Sequence, residues 1–219
     1  VLSAFQEKVK LTAFEFFSDI ALKHVCKHRS LAKPVQTSSA YYVLLECETS
    51  EQIHEAFEDC VAKGWVIDGV LGASEAQRAQ LWQYREGISE SITPFTPYKN
   101  DLSVRVSDVP QFLAAAEACV GERYPGFEIV WFGHIGDGNL HLNILKPASL
   151  AVAEFKAQCE QVSEEVLGIV ADFDGSVSAE HGVGLLKREQ LHYSRSREEL
   201  ALMQGLKKVF DPAGIMNPG

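Results

Sequence analysis

Two strand-like runs around a glycine-rich segment constrain the fold of this 219-residue chain more than any other feature. Residues 128–134 and 139–145 are rich in aromatic and β-branched side chains, and glycine, aspartate and asparagine separate them. This pattern predicts a β-hairpin. If Gly136 to Asn139 form the turn, His134 and His141 lie opposite each other, about 5 Å apart at Cβ.

Side chains in this predicted hairpin divide into a polar and an apolar face. Asn143 lies two residues beyond His141 and therefore shares its face. The opposite face is apolar and consists of Ile135, Leu140, Leu142 and Ile144. One face can therefore pack on a core while two imidazoles and an amide converge on the other.

The rest of the chain predicts an α+β fold. Helical spacing of apolar residues predicts helices over 12–26, 50–64 (with Ser50 as N-cap), 74–92, 109–123, 149–170 and 197–210. Further strands are predicted over 40–47, 65–71 and 101–106. Strand–helix–strand units with short links indicate antiparallel sheets covered by helices, of ferredoxin-like type, followed by a helical carboxy-terminal region. Whether the unit is duplicated stays open.

Composition and charge exclude several classes of protein. A formal net charge of −10 disfavours nucleic acid as a partner. An anionic substrate would therefore need local cations or a metal. Apolar runs are far shorter than the roughly 20 residues of a membrane helix. The five cysteines lack a Cys-x-x-Cys pair and indicate reduced thiols in the cytoplasm. No Met and no leader open the sequence, so we expect a cut within a longer protein.

A second glycine-rich segment, residues 175–184, places Glu180 directly before His181. His134, His141 and Glu180 together would leave one position open on a tetrahedral ion, as in catalytic rather than structural metal sites. Zinc is the first expectation, and manganese or iron would accept the same ligands. Taken alone, His134 and His141 could be a solvated pair beside a turn, and Glu180 and His181 could belong to an ordinary loop. Because both pairs occur in glycine-rich segments, which let the backbone approach a ligand closely, their joint presence favours a metal site.

Three strings occur in order along the chain: GHIGDGNLHLN, SAEHGVGLLKR and FDPAGIMNPG. They resemble the carboxy-terminal domain of FAD-linked oxidases of the vanillyl-alcohol-oxidase type, which include D-lactate dehydrogenases, the glycolate oxidase flavin subunit and D-2-hydroxyglutarate dehydrogenases. The resemblance covers nearly the whole chain and implies one substrate domain, 1–219. It also implies a separate amino-terminal domain that binds FAD. The sequence has neither G-x-G-x-x-G nor G-x-x-x-x-G-K-[ST], so we expect no self-contained dinucleotide or triphosphate site and an inactive isolated chain.

The resemblance also implies roles for individual residues. His134, His141 and Glu180 would bind the metal, Asn143 would contact the substrate, and His181 would be the base beside the metal. In the 2-hydroxyglutarate branch an Arg and a Lys bind substrate carboxylate.

The carboxylate-binding strings occur here as Arg85-Glu86-Gly87-Ile88-Ser89 and Tyr98-Lys99-Asn100-Asp101. Ser89 stands where the family pattern has Thr, so the hydroxyl is kept but its rotamer is looser.

The function implied is FAD-dependent oxidation of a D-2-hydroxy acid, with hydride passing from C2 of the substrate to the flavin. The strings around Arg85 and Lys99 suit a second carboxylate and favour D-2-hydroxyglutarate over D-lactate or glycolate. The alternative of another class is a non-catalytic metal-binding module of ferredoxin-like shape. Expected partners are the hydroxy-acid anion, the flavin domain and an unidentified electron acceptor, with a homodimer left open. The cytoplasm is the expected location; the inner-membrane surface and the mitochondrial matrix remain alternatives.

Overall fold

The computed structural model describes residues 1–48 and 51–218. Five antiparallel strands form one sheet in the order β2-β1-β4-β5-β3. The strands are β1 Leu11–Ser18, β2 Tyr41–Cys47, β3 Tyr98–Ser103, β4 Glu128–Gly133 and β5 Asn139–Leu145. The predicted α+β class is confirmed, and all five strands belong to this one sheet.

Helices cover both faces of the sheet. They are α1 Leu2–Gln6, α2 Asp19–Arg29, α3 Gln52–Ala62, α4 Glu75–Glu86, α5 Ile88–Ile92, α6 Val109–Arg123, α7 Val152–Asp172 and α8 Arg197–Phe210. On one face, α6 and α7 enclose a core that contains Trp131, Leu142 and Phe155. On the other, α2, α4 and α5 pack around Phe17, Phe132 and Leu145. Burial of this apolar surface is the main driving force for the fold.

The predicted helix over residues 12–26 is wrong in its first half. Residues 11–18 form β1, and the Ser18 hydroxyl accepts the N–H of Ala21 to start α2. Because β1 lies inside a sheet that is covered on both faces, Phe16 packs in one core and Phe17 in the other. Such a strand loses the alternation of polar and apolar residues by which strands are recognised.

The predicted strand over residues 65–71 is also wrong. Trp65, Ile67, Val70 and Leu71 are at least half exposed, and this segment pairs with no strand in the part of the chain that the structure describes. Its apolar composition resembles that of a strand, but within the described residues it joins neither edge strand of the sheet, β2 or β3.

Other boundaries differ by a few residues. The strand predicted over 101–106 is β3, three residues earlier, and the helix predicted over 74–92 divides at Gly87 into α4 and α5. The hairpin strands and the helices over 109–123, 149–170 and 197–210 are confirmed to within three residues. Ser50, the expected N-cap, lies outside the described residues. None of the described helices is long and apolar enough to cross a membrane.

Candidate metal and substrate site

The register of the sheet brings the polar side chains of three strands together. His141 on β5 pairs with Asp101 on β3 and with Phe132 on β4. Asn143, two residues further along β5, pairs with Lys99 on β3. Residues directly opposite each other in an antiparallel sheet lie on the same face, so these side chains share the face that α2, α4 and α5 only partly cover.

The predicted pairing of His134 with His141 across the hairpin is wrong in register. Phe132 occupies the position opposite His141, and His134 follows the end of β4, before a 3₁₀ turn over Ile135–Asp137. An offset of two residues preserves the face on which a side chain lies. The two imidazoles therefore still meet, with ring centroids 6.0 Å apart.

Gly138 closes this turn at a position that other residues would strain. Its φ is +79°, in the left-handed region, and an added Cβ would lie 2.0 Å from the carbonyl oxygen of Val104. Only glycine allows both the backbone conformation and the close approach. Gly138 thus sets the start of β5 and with it the position of His141.

Residues 175–181 reach the site because they are anchored to the end of β3. Ser176 exchanges two backbone hydrogen bonds with Ser103, of 2.8 and 3.0 Å. Further along, the N–H groups of Ala179, Glu180 and His181 all donate to Oδ2 of Asp101, at 3.1 to 3.2 Å. One buried carboxylate therefore sets the conformation of the segment that carries Glu180 and His181.

Lys187 ties the same segment down from its far end. Its ammonium donates to the carbonyl oxygens of Val177, at 2.7 Å, and of Asp101, at 3.0 Å. Burial lowers the pKa of Lys187. Burial alone would raise the pKa of Asp101, but other interactions oppose it. For Asp101, the N–H donors of His181 and Glu180 outweigh burial, so its pKa is lowered and it stays ionised.

Three imidazoles surround the carboxylate of Glu180. The Nε2 atoms of His181, His141 and His134 lie 3.3, 3.4 and 3.6 Å from its oxygens. The rings of His141 and His181 are stacked, with centroids 5.7 Å apart and an interplanar angle of 12°. The predicted base His181 thus lies beside the predicted ligands.

His134, His141 and Glu180 fit a divalent ion. Each offers one ligand atom, and these atoms lie within 4.8 Å of one another. Burial of the ring lowers the pKa of His141 to about 4, against the opposing effect of Glu180 and Asp101. Its imidazole is therefore neutral at physiological pH and has a lone pair for a metal.

Two buried carboxylates behind the histidines were missed by sequence reasoning. Glu15 on β1 and Asp101 on β3 are 5% and 4% exposed. Glu15 Oε1 lies 2.7 Å from His134 Nδ1, and Asp101 Oδ1 lies 3.6 Å from His141 Nδ1. A signal existed for Glu15, because a lone acid among Phe14, Phe16 and Phe17 is unusual in an apolar run.

Arg85, a predicted carboxylate ligand, lies beside this cluster. Its Nε donates to Glu15 Oε2 at 2.9 Å, and its guanidinium lies over the ring of Phe132, 4.9 Å from the centroid. Its charge also interacts with Glu180. Among the described residues its two Nη groups make no hydrogen bond, so a two-point fork stays available for a ligand.

The other predicted substrate residues differ in setting. Lys99 is exposed on β3, opposite Asn143. The buried amide of Asn143 donates from Nδ2 to the carbonyl oxygens of Val130 and His141, which leaves Oδ1 as an acceptor. Ser89 is exposed on α5, and its hydroxyl makes no hydrogen bond within the described part of the chain. The structure does not join Ser89 to the histidine cluster.

Known proteins are similar to this chain in sequence and in fold. The chain is 55% identical over its whole length to a D-2-hydroxyglutarate dehydrogenase of Stutzerimonas stutzeri and 50% identical to one of Xanthomonas citri pv. viticola, and it covers 48% and 47% of those proteins. It is 36% identical to a putative mitochondrial D-lactate dehydrogenase of Schizosaccharomyces pombe, of which it covers 44%. The chain thus spans about half the length of these relatives.

A solved structure supports the fold alone. The 4-ethylphenol oxidase of Gulosibacter chungangensis, in its isoeugenol complex, matches 94% of this chain and 46% of its own, with a TM-score of 0.60 and 11% identity. The sequence profile described as "FAD linked oxidases, C-terminal domain" matches residues 1–219. Profile, relatives and fold agree, and the chain belongs to the family of FAD-linked oxidase carboxy-terminal domains.

Proposed function

We propose that this chain is the substrate- and metal-binding domain of an FAD-dependent D-2-hydroxy-acid dehydrogenase that acts on D-2-hydroxyglutarate. One observation carries the proposal. Three imidazole Nε2 atoms converge on Glu180 at the open side of the sheet, and the cation of Arg85 lies beside them. The name shared by the bacterial relatives at 50 and 55% identity supports the substrate.

His134, His141 and Glu180 would hold the metal, which we propose to be Zn²⁺, with Mn²⁺ or Fe²⁺ accepted by the same donors. When bound, this ion supplies a Lewis acid that lowers the pKa of the substrate hydroxyl. The half-exposed Glu180 and the more exposed His181 leave this side of the cluster accessible to a small anion.

His181 would act as the general base. Its Nε2 faces the cluster, 3.3 Å from Glu180, while its Nδ1 lies 3.6 Å from Asp101 Oδ2. A neutral imidazole in this orientation accepts the hydroxyl proton at Nε2, and the carboxylate of Asp101 stabilises the resulting cation.

Two cations would bind the substrate's two carboxylates. The chain carries a net charge of −10, so long-range attraction of a dianion is absent and local groups must provide it. The Nη fork of Arg85 suits one carboxylate, and Lys99 suits the second. Asn143 and Ser89 would make further contacts with the substrate.

FAD would be bound mainly outside this chain. The described residues hold no glycine-rich turn between a strand and a helix of the kind that binds a dinucleotide pyrophosphate. The relatives are about twice as long, and we propose that their additional half corresponds to the flavin domain. In the complete enzyme the flavin supplies the hydride acceptor.

We further propose a cytoplasmic location. Five free cysteines fit a reducing compartment, whereas several eukaryotic relatives are named mitochondrial. The electron acceptor that reoxidises the flavin is a separate partner, whose identity this site does not specify.

A monocarboxylate substrate is the second candidate, because one relative at 36% identity is named a D-lactate dehydrogenase. The test is an assay of the protein together with its flavin domain on D-2-hydroxyglutarate, D-lactate and glycolate, with an artificial dye as acceptor. We expect the highest kcat/KM on D-2-hydroxyglutarate. A higher kcat/KM on either monocarboxylate would overturn the substrate assignment.

The same assay tests the base. His181→Gln should lower kcat by about 100-fold or more, the usual contribution of general base catalysis. His54→Gln, at an exposed position on α3, is the matched control and should keep full activity. Full activity of His181→Gln would contradict its role, and no activity of the wild type on any 2-hydroxy acid would favour a non-catalytic metal-binding module.

A further inference from the structure

Both histidines proposed as metal ligands are oriented in the same way. Each directs Nε2 toward Glu180, and each directs Nδ1 toward a different buried carboxylate. These carboxylates come from the two strands that flank the hairpin, β1 and β3. We propose that Glu15 and Asp101 are positioning residues that hold His134 and His141 in the Nδ1–H tautomer, so that both Nε2 lone pairs face the metal position. This inference rests on the metal site proposed above.

For His134 the distance decides the tautomer. Its Nδ1 lies 2.7 Å from Glu15 Oε1, within hydrogen-bond range. An ionised carboxylate can only accept a hydrogen bond. Two lone pairs at this distance would repel each other, so Nδ1 must carry a hydrogen. In the neutral ring Nε2 is then unprotonated and free to bind a metal.

For His141, the unpaired oxygen of Asp101 determines the tautomer. Asp101 Oδ2 accepts three backbone N–H groups, whereas its Oδ1 is buried and has no hydrogen-bond partner among the described residues. A buried, unpaired anionic oxygen is costly. The Nδ1 of His141 faces it at 3.6 Å, and an N–H there would approach a full hydrogen bond after a movement of a few tenths of an ångström.

Asp101 therefore links both parts of the site. Through Oδ1 it orients His141 on the sheet, and through Oδ2 it orders the backbone that carries Glu180 and His181. Carboxylates hydrogen-bonded behind metal-binding histidines commonly raise metal affinity by about 10- to 100-fold. Glu15 and Asp101 would act in this way without contacting the ion or the substrate.

The first test needs neither metal nor a variant. Two-bond ¹H–¹⁵N correlation spectra of histidine-labelled, metal-free protein at about pH 8 distinguish the Nδ1–H tautomer from the Nε2–H tautomer, which free histidine favours. We expect the Nδ1–H pattern for His134 and His141. The Nε2–H pattern for either ring would overturn the assignment for that ring.

Two isosteric variants test cause and effect. In Glu15→Gln, the N–H of Arg85 should attract the amide oxygen, which turns the amide NH₂ toward His134 Nδ1. In Asp101→Asn, the three backbone N–H groups should hold the oxygen, which turns the NH₂ toward His141. Each variant should therefore convert one histidine to Nε2–H and lower Zn²⁺ affinity about 10- to 100-fold, measured by competition with a chromophoric chelator.

Glu128→Gln is the matched control, because Glu128 on β4 contacts His24 Nε2 at 2.6 Å, outside the cluster. It should change only the His24 signals and leave Zn²⁺ affinity unaltered. A folded Glu15→Gln or Asp101→Asn with wild-type tautomers would overturn the inference. Loss of folding would leave the wild-type spectrum as the decisive result. A wild type with the expected tautomers but no Zn²⁺ binding would instead reject the proposed metal site alone.

Discussion

Arg85 and Glu15 form a buried ion pair, in which Nε lies 2.9 Å from Oε2 and the side chains are 10% and 7% exposed. Glu15 also contacts His134 through its second oxygen. A residue predicted to bind substrate is therefore connected, through one carboxylate, to a residue predicted to bind metal. Substitution of Arg85 should accordingly affect stability as well as substrate binding.

Arg85→Met should lower the free energy of unfolding by about 3–5 kcal/mol, because it removes the cation that neutralises the buried charge of Glu15. The double variant Glu15→Gln/Arg85→Met should recover much of this loss, since no unpaired charge is left. Urea denaturation of the metal-free protein measures both values. A double variant as unstable as the sum of the single variants would show that the pair is not coupled.

Lys99→Met should raise KM for D-2-hydroxyglutarate by about 10- to 100-fold, the usual loss for a hydrogen bond to a charged group. KM for D-lactate should change little, because D-lactate has no second carboxylate. Lys208→Met, which removes an exposed cation on α8, is the control. Equal effects of Lys99→Met on both substrates would reject Lys99 as the ligand of the second carboxylate.

Acid should destabilise the metal-free protein through His141. Burial lowers the pKa of His141 to about 4 in the folded state, whereas an unfolded histidine titrates near pH 6.5. Between these values the unfolded chain binds a proton that the folded protein does not. The free energy of unfolding should therefore decrease as pH falls from 6.5 to 4, by about 3 kcal/mol from this residue, and be independent of this group above pH 6.5.

His141→Gln removes this titration. The unfolding free energy of the wild type minus that of the variant should therefore be constant above pH 6.5 and decrease below it. Chemical denaturation at a series of pH values, with a chelator present, measures the difference. A constant difference from pH 7 to pH 4 would exclude His141 as the source.

Gly138→Ala should destabilise the protein by at least about 1–2 kcal/mol, the cost of a left-handed conformation for a residue with a Cβ. The close approach to the carbonyl of Val104 should add to this cost. Gly121→Ala, in the exposed part of α6 with no atom near the added Cβ, should stabilise it by about 0.5–1 kcal/mol. Similar values for the two variants would contradict the role given to the turn.

The sequence predicted the hairpin, the helices after residue 109 and the convergence of His134, His141, Glu180 and His181. These features depend on local patterns, since turn residues and helical periodicity are read within a short window. The register of the hairpin was wrong, because the 3₁₀ turn over Ile135–Asp137 lengthens the connection and puts Phe132 opposite His141.

The features that were missed depend on contacts distant in sequence. Glu15 reaches His134 across 119 positions, and Asp101 reaches His181 across 80. Neither acid has a local pattern that indicates its partner. The apolar spacing in β1 predicts a helix instead of a strand, because both faces of this strand are buried. The order of the strands in the sheet brings such residues behind the site. That order depends on the whole fold and cannot be read from a short stretch of sequence.

Zn²⁺ binding by wild type, His141→Ala and His54→Ala tests the central claim most directly. His141 lies in the cluster and His54 is exposed on α3, so the two variants remove the same side chain inside and outside the site. Metal-free protein is loaded with Zn²⁺, freed of excess and analysed for zinc per chain. We expect one zinc per chain in wild type and His54→Ala and less than about a tenth of that in His141→Ala. Equal zinc in His141→Ala and wild type would contradict the His134–His141–Glu180 metal site.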